Sequence, residues 1–343
     1  MQVPINEDFM SKTTARAFSN IALVKYWGKR DEEKMLPQNS SVSVTLSDMY
    51  ATTTVEFSAG LTKHELMLNG ESYFSGSSEY SKVESVLKRI KKTASTGLNA
   101  KVVSKNNFPT SAGFASSAAG LAALAVAASK AIDLSLSKKE LSILARYGSG
   151  SASRSVLGGF VKWNRGEKDD GSDSYATEVV SDTYWPEFRI LAVSVSNLRK
   201  KIKSSDAMRR TVATSPYYTK WPKEAERDVQ KIENAIKKRD IKSVGEIAER
   251  SAFSMHGLMM TAKPPILYFL PKTIELINVI AQLREKESVN AYVTIDAGPQ
   301  VKILCLKKDI DYIKEKIAKI NDIQKIFESR PGTGPQFLSD HLF

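Results

Sequence analysis

Asn107-Phe-Pro-Thr-Ser-Ala-Gly-Phe-Ala-Ser-Ser-Ala-Ala-Gly120 decides how the chain is read. A short strand at 100–104 runs into a loop of Gly, Ser and Ala, and a long Ala-rich helix at 114–132 starts at once. Small side chains let a ligand approach the backbone, and free N–H groups at a helix N-terminus favour phosphate. Ser111, Ser116 and Ser117 add hydroxyls to a loop otherwise built of Pro109, Ala112, Gly113 and Ala115. There is no G-x-x-x-x-G-K-[ST], so this is not a Walker loop. A tightly packed, N-capped Ala-rich helix has the same composition, and spacing alone does not separate the two.

Outward from this loop the elements mix. Segments 13–17, 41–46 and 52–57 alternate apolar with small or β-branched residues, as strands do. Asn69-Gly70 marks a hairpin corner. Helical spacing predicts a helix at 82–92 and a second at 137–147, with Ser137 and Glu140 as a capping box and Gly148 just past its end. Strands are expected at 156–163 and 189–196. The second half holds long helical patterns at 222–239, 241–259 and 270–286, strands at 291–295 and 301–306, and a helix at 310–320. Without strict βαβ alternation this is an α+β chain. The polar stretch 166–174 suggests a division into residues 1–186 and 187–343.

The chain has 343 residues, 42% of them hydrophobic and 26% charged, enough to bury a sizeable core. One cysteine excludes an intrachain disulfide framework and a cysteine-based zinc site. Three scattered histidines give no metal signature, so no protein metal site is expected. His256 reads as packing. No apolar run approaches a membrane span, and the polar start at 1–11 does not read as a secretory signal, so a cytoplasmic protein is expected. The net charge of +12 is spread along the chain. It favours an anionic small molecule over nucleic acid, and neither a nucleic-acid nor a membrane partner is expected.

Four further clusters carry chemistry. Gly148-Ser-Gly-Ser-Ala-Ser-Arg-Ser155 is a second small-residue turn, and its Arg154 offers a planar fork for carboxylate or phosphate. In Asn20-Ile-Ala-Leu-Val-Lys-Tyr-Trp-Gly-Lys-Arg30, Lys25 lies in an apolar run and must find an anionic partner. Asp296 ends an apolar strand before Ala-Gly-Pro299, as either a turn cap or a buried working carboxylate. Lys200, Lys201, Lys203, Ser204, Ser205, Arg209 and Arg210 form either a solvated basic loop or a clamp on an anionic tail.

Together these segments, with Asn39-Ser-Ser-Val-Ser-Val-Thr45 and Gly158-Gly-Phe160, resemble the GHMP small-molecule kinase superfamily, and more narrowly the mevalonate diphosphate decarboxylases. The resemblance runs in order from about residue 13 to 335. It implies a ribosomal-S5-like first domain, a ferredoxin-like second domain, and an active site between them. It implies decarboxylation of a phosphorylated mevalonate in isoprenoid biosynthesis, a carboxy-lyase reaction losing CO2 and a 3-phosphate. By the same resemblance Asp296, Lys25 and Arg154 are catalytic. Asn20, Tyr26, Trp27, Gly28, Lys29, Ser149, Gly150, Ser151, Ser153 and Ser204 bind substrate, the 109–117 loop binds nucleotide, and the protein is a homodimer.

This chain departs from the pattern in several places. The family's diphosphate-binding arginine is missing; Glu79, Tyr80 or Lys82 stands near its place. Ser153 replaces a cysteine, Asp206-Ala-Met208 a Gln-Gly-Met-like stretch, and Gln300 an asparagine. The 260–296 stretch looks more like archaeal phosphomevalonate decarboxylases. Loss of a bidentate clamp suits a single 5-phosphate. The expectation is therefore an archaeal-type enzyme that takes mevalonate 3,5-bisphosphate to isopentenyl phosphate without ATP or other cofactor. The alternatives are a decarboxylase of mevalonate 5-diphosphate or 5-phosphate using ATP and Mg2+, and a GHMP-type kinase.

Overall fold

The computed structural model describes residues 11–108, 116–196, 200–321 and 323–343. The first half runs β1 (Thr13–Val24), a small ribbon of β2 (Lys29–Asp31) and β3 (Leu36–Pro37), β4 (Ser41–Ser58), β5 (Glu65–Leu68), β6 (Glu71–Tyr73), α1 (Ser78–Thr93), β7 (Asn99–Asn106), α2 (Ser116–Ala131), α3 (Lys138–Gly148), β8 (Phe160–Trp163) and β9 (Ala176–Val180). The second half runs β10 (Phe188–Ser194), α4 (Ser204–Thr214), α5 (Trp221–Lys237), α6 (Ile241–Met260), α7 (Pro271–Glu287), β11 (Tyr292–Ile295), β12 (Val301–Leu306), α8 (Ile310–Ala318), β13 (Lys325–Ser329) and β14 (Gln336–Leu338). The α+β class expected from the sequence is the one observed.

The larger sheet has the order β14-β1-β4-β7-β5-β6, with β8 and β9 extending from β4. Only β5 and β7 pair in parallel among its ladders. The two strands read at 41–46 and 52–57 are one 18-residue strand, β4. It bends past β1 through register shifts and is kept continuous by buried Ser and Thr. Those hydroxyls pair internally: Thr14 with Thr54 at 2.7 Å and Thr53 with Ser104 at 2.8 Å. α2 lies across this sheet with Ala118, Ala119, Ala122, Ala123, Ala125, Ala127 and Ala128 fully buried. A helix apolar all round belongs in a core, and methyl side chains let it sit close to the strands.

Ser137 and Glu140 form the expected capping box, but Gly148 closes α3 from inside the helix. Its Cβ would meet Leu121 and Val86 at under 3 Å, so close packing excludes a larger residue. The strand read at 156–163 begins only at Phe160, because Gly158 is pressed against the backbone of 332–334. The polar 166–174 stretch is no linker. It is the loop between β8 and β9, held by the buried Arg146 guanidinium, which donates to the carbonyls of Gly171 and Ser174. The basic segment beyond 203 folds as α4.

The smaller sheet, β11-β12-β10-β13, is antiparallel throughout. One face packs on α7 and α8 through Val301, Ile303 and Cys305, while Leu304 on the other face joins the core shared with α5 and α6. α6 ties the sheets together. Ser251 accepts the Lys25 N–H at 3.0 Å, and His256 Nε2 meets the Asp296 carbonyl at 3.2 Å. The ends of β1 and β11 therefore converge, and Thr294 donates to the Ala22 carbonyl across the junction. We propose the division near residue 186 as the domain boundary, with β14 returning to the first sheet.

Candidate active site

Where β1 and β11 end, a cavity of about 740 Å³ opens, lined by Asn20, Lys25, Tyr26, Trp27, Lys29, Ser149, Gly150, Ser151, Arg154, Ser204 and Asp296 among others. Eleven residues read from sequence as catalytic or substrate-binding thus share one wall.

Lys25 stands just past the end of β1, 2% exposed. Its ammonium donates to Asp296 Oδ1 at 2.7 Å and to the Ala22 carbonyl at 2.8 Å. Burial pushes its pKa down to about 8; Asp296 opposes that, while Lys302 and Arg154 add to it. Asp296 is no surface turn cap. Its side chain is 26% exposed, and Oδ2 lies 3.1 Å from Lys302 Nζ. Burial alone would raise the carboxyl pKa, but the two lysines outweigh it and hold Asp296 well below the usual carboxylate range. Burial, with the Lys25 charge, holds His256 at about 3, so its ring is neutral. It packs at 4.3 Å on Phe269 and serves as the expected packing histidine.

Arg154 follows a 3-10 turn at Gly150–Ser153 and is 2% exposed. Among the described residues its polar contacts are neutral: Nε donates to Asn20 Oδ1 at 3.2 Å and Ser43 Oγ at 2.9 Å, and Nη1 to Ser41 Oγ. Asn20 is itself fixed by the Ser151 carbonyl and Ser155 Oγ. Burial lowers the Arg154 pKa to about 10, and Asp296 opposes that shift. A buried guanidinium held by hydroxyls rather than a carboxylate is a receptor for an incoming anion. The Tyr26 hydroxyl is buried with no hydrogen-bond partner among the described residues, and its ring packs edge-on to Trp163 at 4.8 Å. Burial raises its pKa, so it remains a neutral donor.

Two sequence-read residues stand apart. Gly28 has φ +108°, and a Cβ there would meet the Tyr218 hydroxyl at 1.7 Å, so its place is conformational. Ser153 is fully buried and donates to the Gly150 carbonyl at 2.7 Å, away from the cavity wall. Pro109, Ser111, Ala112, Gly113 and Ala115 lie outside the described residues. Ser116 opens α2, and Ser117, exposed in its first turn, lines the cavity.

Sequence reasoning missed part of the site. Ser41 and Ser43 cradle Arg154. Lys302, a lysine inside an apolar strand, carries the same signal that singled out Lys25. Lys82 and Glu79 both line the cavity where the arginine is missing, whereas Tyr80 is core. Lys29, already read as substrate-binding, and Lys200 and Lys203, read as loop or clamp, line it too. Lys200 Nζ donates to Ser204 Oγ at 2.6 Å and to the Ala297 carbonyl at 2.9 Å. Burial lowers it to about 8, with Lys302 adding to the shift. Four lysines from three segments thus line the cavity, two of them in ion pairs, Lys29 with Glu32 at 2.5 Å and Lys203 with Glu79 at 3.6 Å. Among the described residues no three His, Cys, Asp or Glu side chains gather as a metal site, and no helix is long and apolar enough to cross a membrane.

Comparison with known proteins bears on the chain as a whole. Residues 17–176 match the model of the diphosphomevalonate decarboxylase-like N-terminal domain, and 190–330 that of the mevalonate 5-diphosphate decarboxylase C-terminal domain. The chain is 41% identical over 322 residues to the diphosphomevalonate decarboxylase of Gibberella zeae, covering 89% of this chain and 83% of that one. Further relatives are fungal and animal proteins, which gives no support to an archaeal-type placement. Among solved structures, mevalonate diphosphate decarboxylase from Enterococcus faecalis, described for its mevalonate diphosphate mediated ATP binding, superimposes with a TM-score of 0.88 at 39% identity, covering 95% of this chain and 98% of its own. A second, described as MDDEF in complex with MVAPP, AMPPCP and magnesium, gives the same TM-score, identity and coverage. The GHMP-kinase-like fold in two parts is shared with these structures.

Proposed function

Because the chain belongs to the diphosphomevalonate decarboxylase family, we propose that it is the ATP-dependent enzyme, converting mevalonate 5-diphosphate to isopentenyl diphosphate. The chain is a decarboxylase of phosphorylated mevalonate and hence a carboxy-lyase. The expected bisphosphate substrate and ATP-free reaction give way here to the alternative. Its grounds were a missing arginine and the archaeal look of the 260–296 stretch; against the first, Lys29, Lys82, Lys200 and Lys203 all line the cavity, Lys29 and Lys203 paired with Glu32 and Glu79, and can meet a diphosphate tail.

The observation that carries the reading is the Lys25–Asp296 pair beside Arg154 lining one cavity, with Lys302 buried behind the carboxylate. In the proposed reaction Arg154 grips the substrate carboxylate. Asp296 accepts the hydrogen bond of the 3-hydroxyl and takes its proton as that oxygen attacks the γ-phosphorus of ATP, the bond to the β-phosphate breaks and ADP leaves. Two lysines make Asp296 a weak base, so much of its work is to orient the hydroxyl and Lys25. The C1–C2 bond then breaks, its electrons form the C2–C3 double bond, and the C3–O bond releases phosphate with CO2. Lys25 stabilises charge on that leaving oxygen in a cleft poor in water. Ser117 and the start of α2 fit nucleotide phosphate. Among the described residues no cluster of His, Cys, Asp or Glu would hold Mg2+, so the metal would be carried by the nucleotide and would supply neutralisation of phosphate charge beside Ser117.

The test is product analysis with mevalonate 5-phosphate, 5-diphosphate and 3,5-bisphosphate, each with and without Mg-ATP. Isopentenyl diphosphate from the 5-diphosphate only with ATP is expected. Isopentenyl phosphate from the bisphosphate without ATP would overturn the reading and restore the displaced expectation.

A further inference from the structure

Along β12, Val301, Ile303 and Cys305 face one core of the smaller sheet, so Lys302 and Leu304 face the other. Lys302 sits opposite Thr294 on β11 and Ala192 on β10, at a position 1% exposed. The pattern calls there for an apolar side chain. An ammonium buried so deeply is costly unless it is paired. It lies 3.1 Å from Asp296 Oδ2 and 3.4 Å from the Gln300 carbonyl. Lys25 takes Oδ1, so each carboxylate oxygen has its own lysine.

We propose that Lys302 is a positioning residue of the reaction, locking the Asp296 carboxylate from its second oxygen and keeping the site cationic. The proposal rests on the reading of Asp296 as the catalytic carboxylate. A hydrogen bond from Lys25 on Oδ1 and the Lys302 ion pair at Oδ2 together restrain rotation about the Cβ–Cγ bond, so the partly exposed edge of Asp296 meets the substrate hydroxyl in one orientation. The charge matters as well. Lys25 and Asp296 alone form a neutral pair; Lys302, with Arg154 and Lys200, makes the surroundings strongly positive towards an anionic substrate. The charged groups facing Lys25 are Asp296, Lys302 and Arg154, and those facing Lys200 are Lys302, Asp296 and Lys82; the neutral His256 ring meets the Asp296 carbonyl at 3.2 Å. Lys302 is among the charges that hold Lys25 and Lys200 low.

Lys302→Met keeps the volume and removes the charge; Lys302→Arg keeps the charge. With mevalonate 5-diphosphate and Mg-ATP, Lys302→Met is expected to lose about 10²-fold in kcat with little change in KM. The basic limb of its kcat/KM profile is expected to move up by about half a pH unit or more, because a charge that depressed Lys25 is gone. The Lys25 Cε resonance in 13C-lysine-labelled protein titrates with the same shift, without turnover. Lys302→Arg is expected to keep the wild-type limb and recover part of kcat. Lys302→Met with wild-type kcat, or with lowered kcat but unmoved limb and resonance, overturns the proposal. If Lys302→Met does not fold, Lys302→Gln carries the same comparison. Asp296→Asn, assayed beside them, separates the two failures. An active Asp296→Asn removes the parent reading, whereas an inactive one beside an unaffected Lys302→Met removes the positioning role alone.

Discussion

Lys25 and Asp296 are 271 residues apart in the chain, yet Lys25 Nζ and Asp296 Oδ1 stand 2.7 Å apart. They meet because β1 and β11 end at the same place and α6 holds both ends, through Ser251 and His256. Removing the carboxylate should therefore disable chemistry and loosen the junction. Asp296→Asn is expected to lower kcat by about 10³-fold or more while the protein still binds mevalonate 5-diphosphate. Its Tm is also expected to fall, since two buried ammonium groups lose their anion. Steady-state kinetics and a thermal scan check both.

Arg154 is cradled by Ser41, Ser43 and Asn20, and a lysine cannot reproduce that fork. Arg154→Lys is expected to lose about 10²-fold or more in kcat/KM. A substrate analogue lacking the carboxylate should bind wild type and variant alike, as competitive inhibition would measure.

The pH profile follows from two lysines, both lowered to about 8. The free enzyme loses two useful cations above that pH, so log kcat/KM is expected to fall there with a slope approaching about −2. Lys25→Arg cannot lose its charge and should fall with a slope near about −1, from Lys200 alone. Stability moves the other way. Between the folded value of about 8 and the ordinary lysine value of 10.5, the unfolded chain binds more protons at Lys25. Its contribution to stability therefore rises with pH across that window. At the acid end Asp296, held low, stabilises the fold above its unfolded pKa and loses that contribution as pH falls.

In the proposed reaction the lysines that line the cavity with Ser204 take the substrate's phosphate tail. Lys82→Met is expected to raise KM for mevalonate 5-diphosphate by about tenfold with kcat nearly unchanged, and to affect mevalonate 5-phosphate less. Equal effects on both would detach Lys82 from the tail.

Gly28 tests a structural role. At φ +108° with the Tyr218 hydroxyl against it, Gly28→Ala is expected to destabilise the fold by about 1–3 kcal/mol. Denaturant unfolding measures this.

What the sequence disclosed follows from range. Lys25 in an apolar run announced a partner, and the Ser137–Glu140 capping box and the buried Ala-rich α2 were legible because caps and periodicity act within a few residues. The identity of the partner was not local: family resemblance, rather than spacing, linked Lys25 to Asp296. Lys302 broke the apolar pattern of β12 in the same way and went unread. The missing arginine misled because its loss was weighed alone, while the clamp read at 200–210 and Lys29 were not set beside Lys82 until the fold brought Lys29, Lys82, Lys200 and Lys203 to one cavity. Register was equally hidden. Two readable halves proved to be the single strand β4, and β14 returns from the far end of the chain to pair with β1.

The most direct measurement is a single-turnover experiment with mevalonate 5-diphosphate labelled at its carboxyl carbon, with and without Mg-ATP, following CO2 and ADP together. The account predicts equal amounts of CO2 and ADP, and neither without ATP. ADP without CO2 would make the protein a kinase, and CO2 without ATP would contradict phosphorylation of the 3-hydroxyl as the step that creates the leaving group.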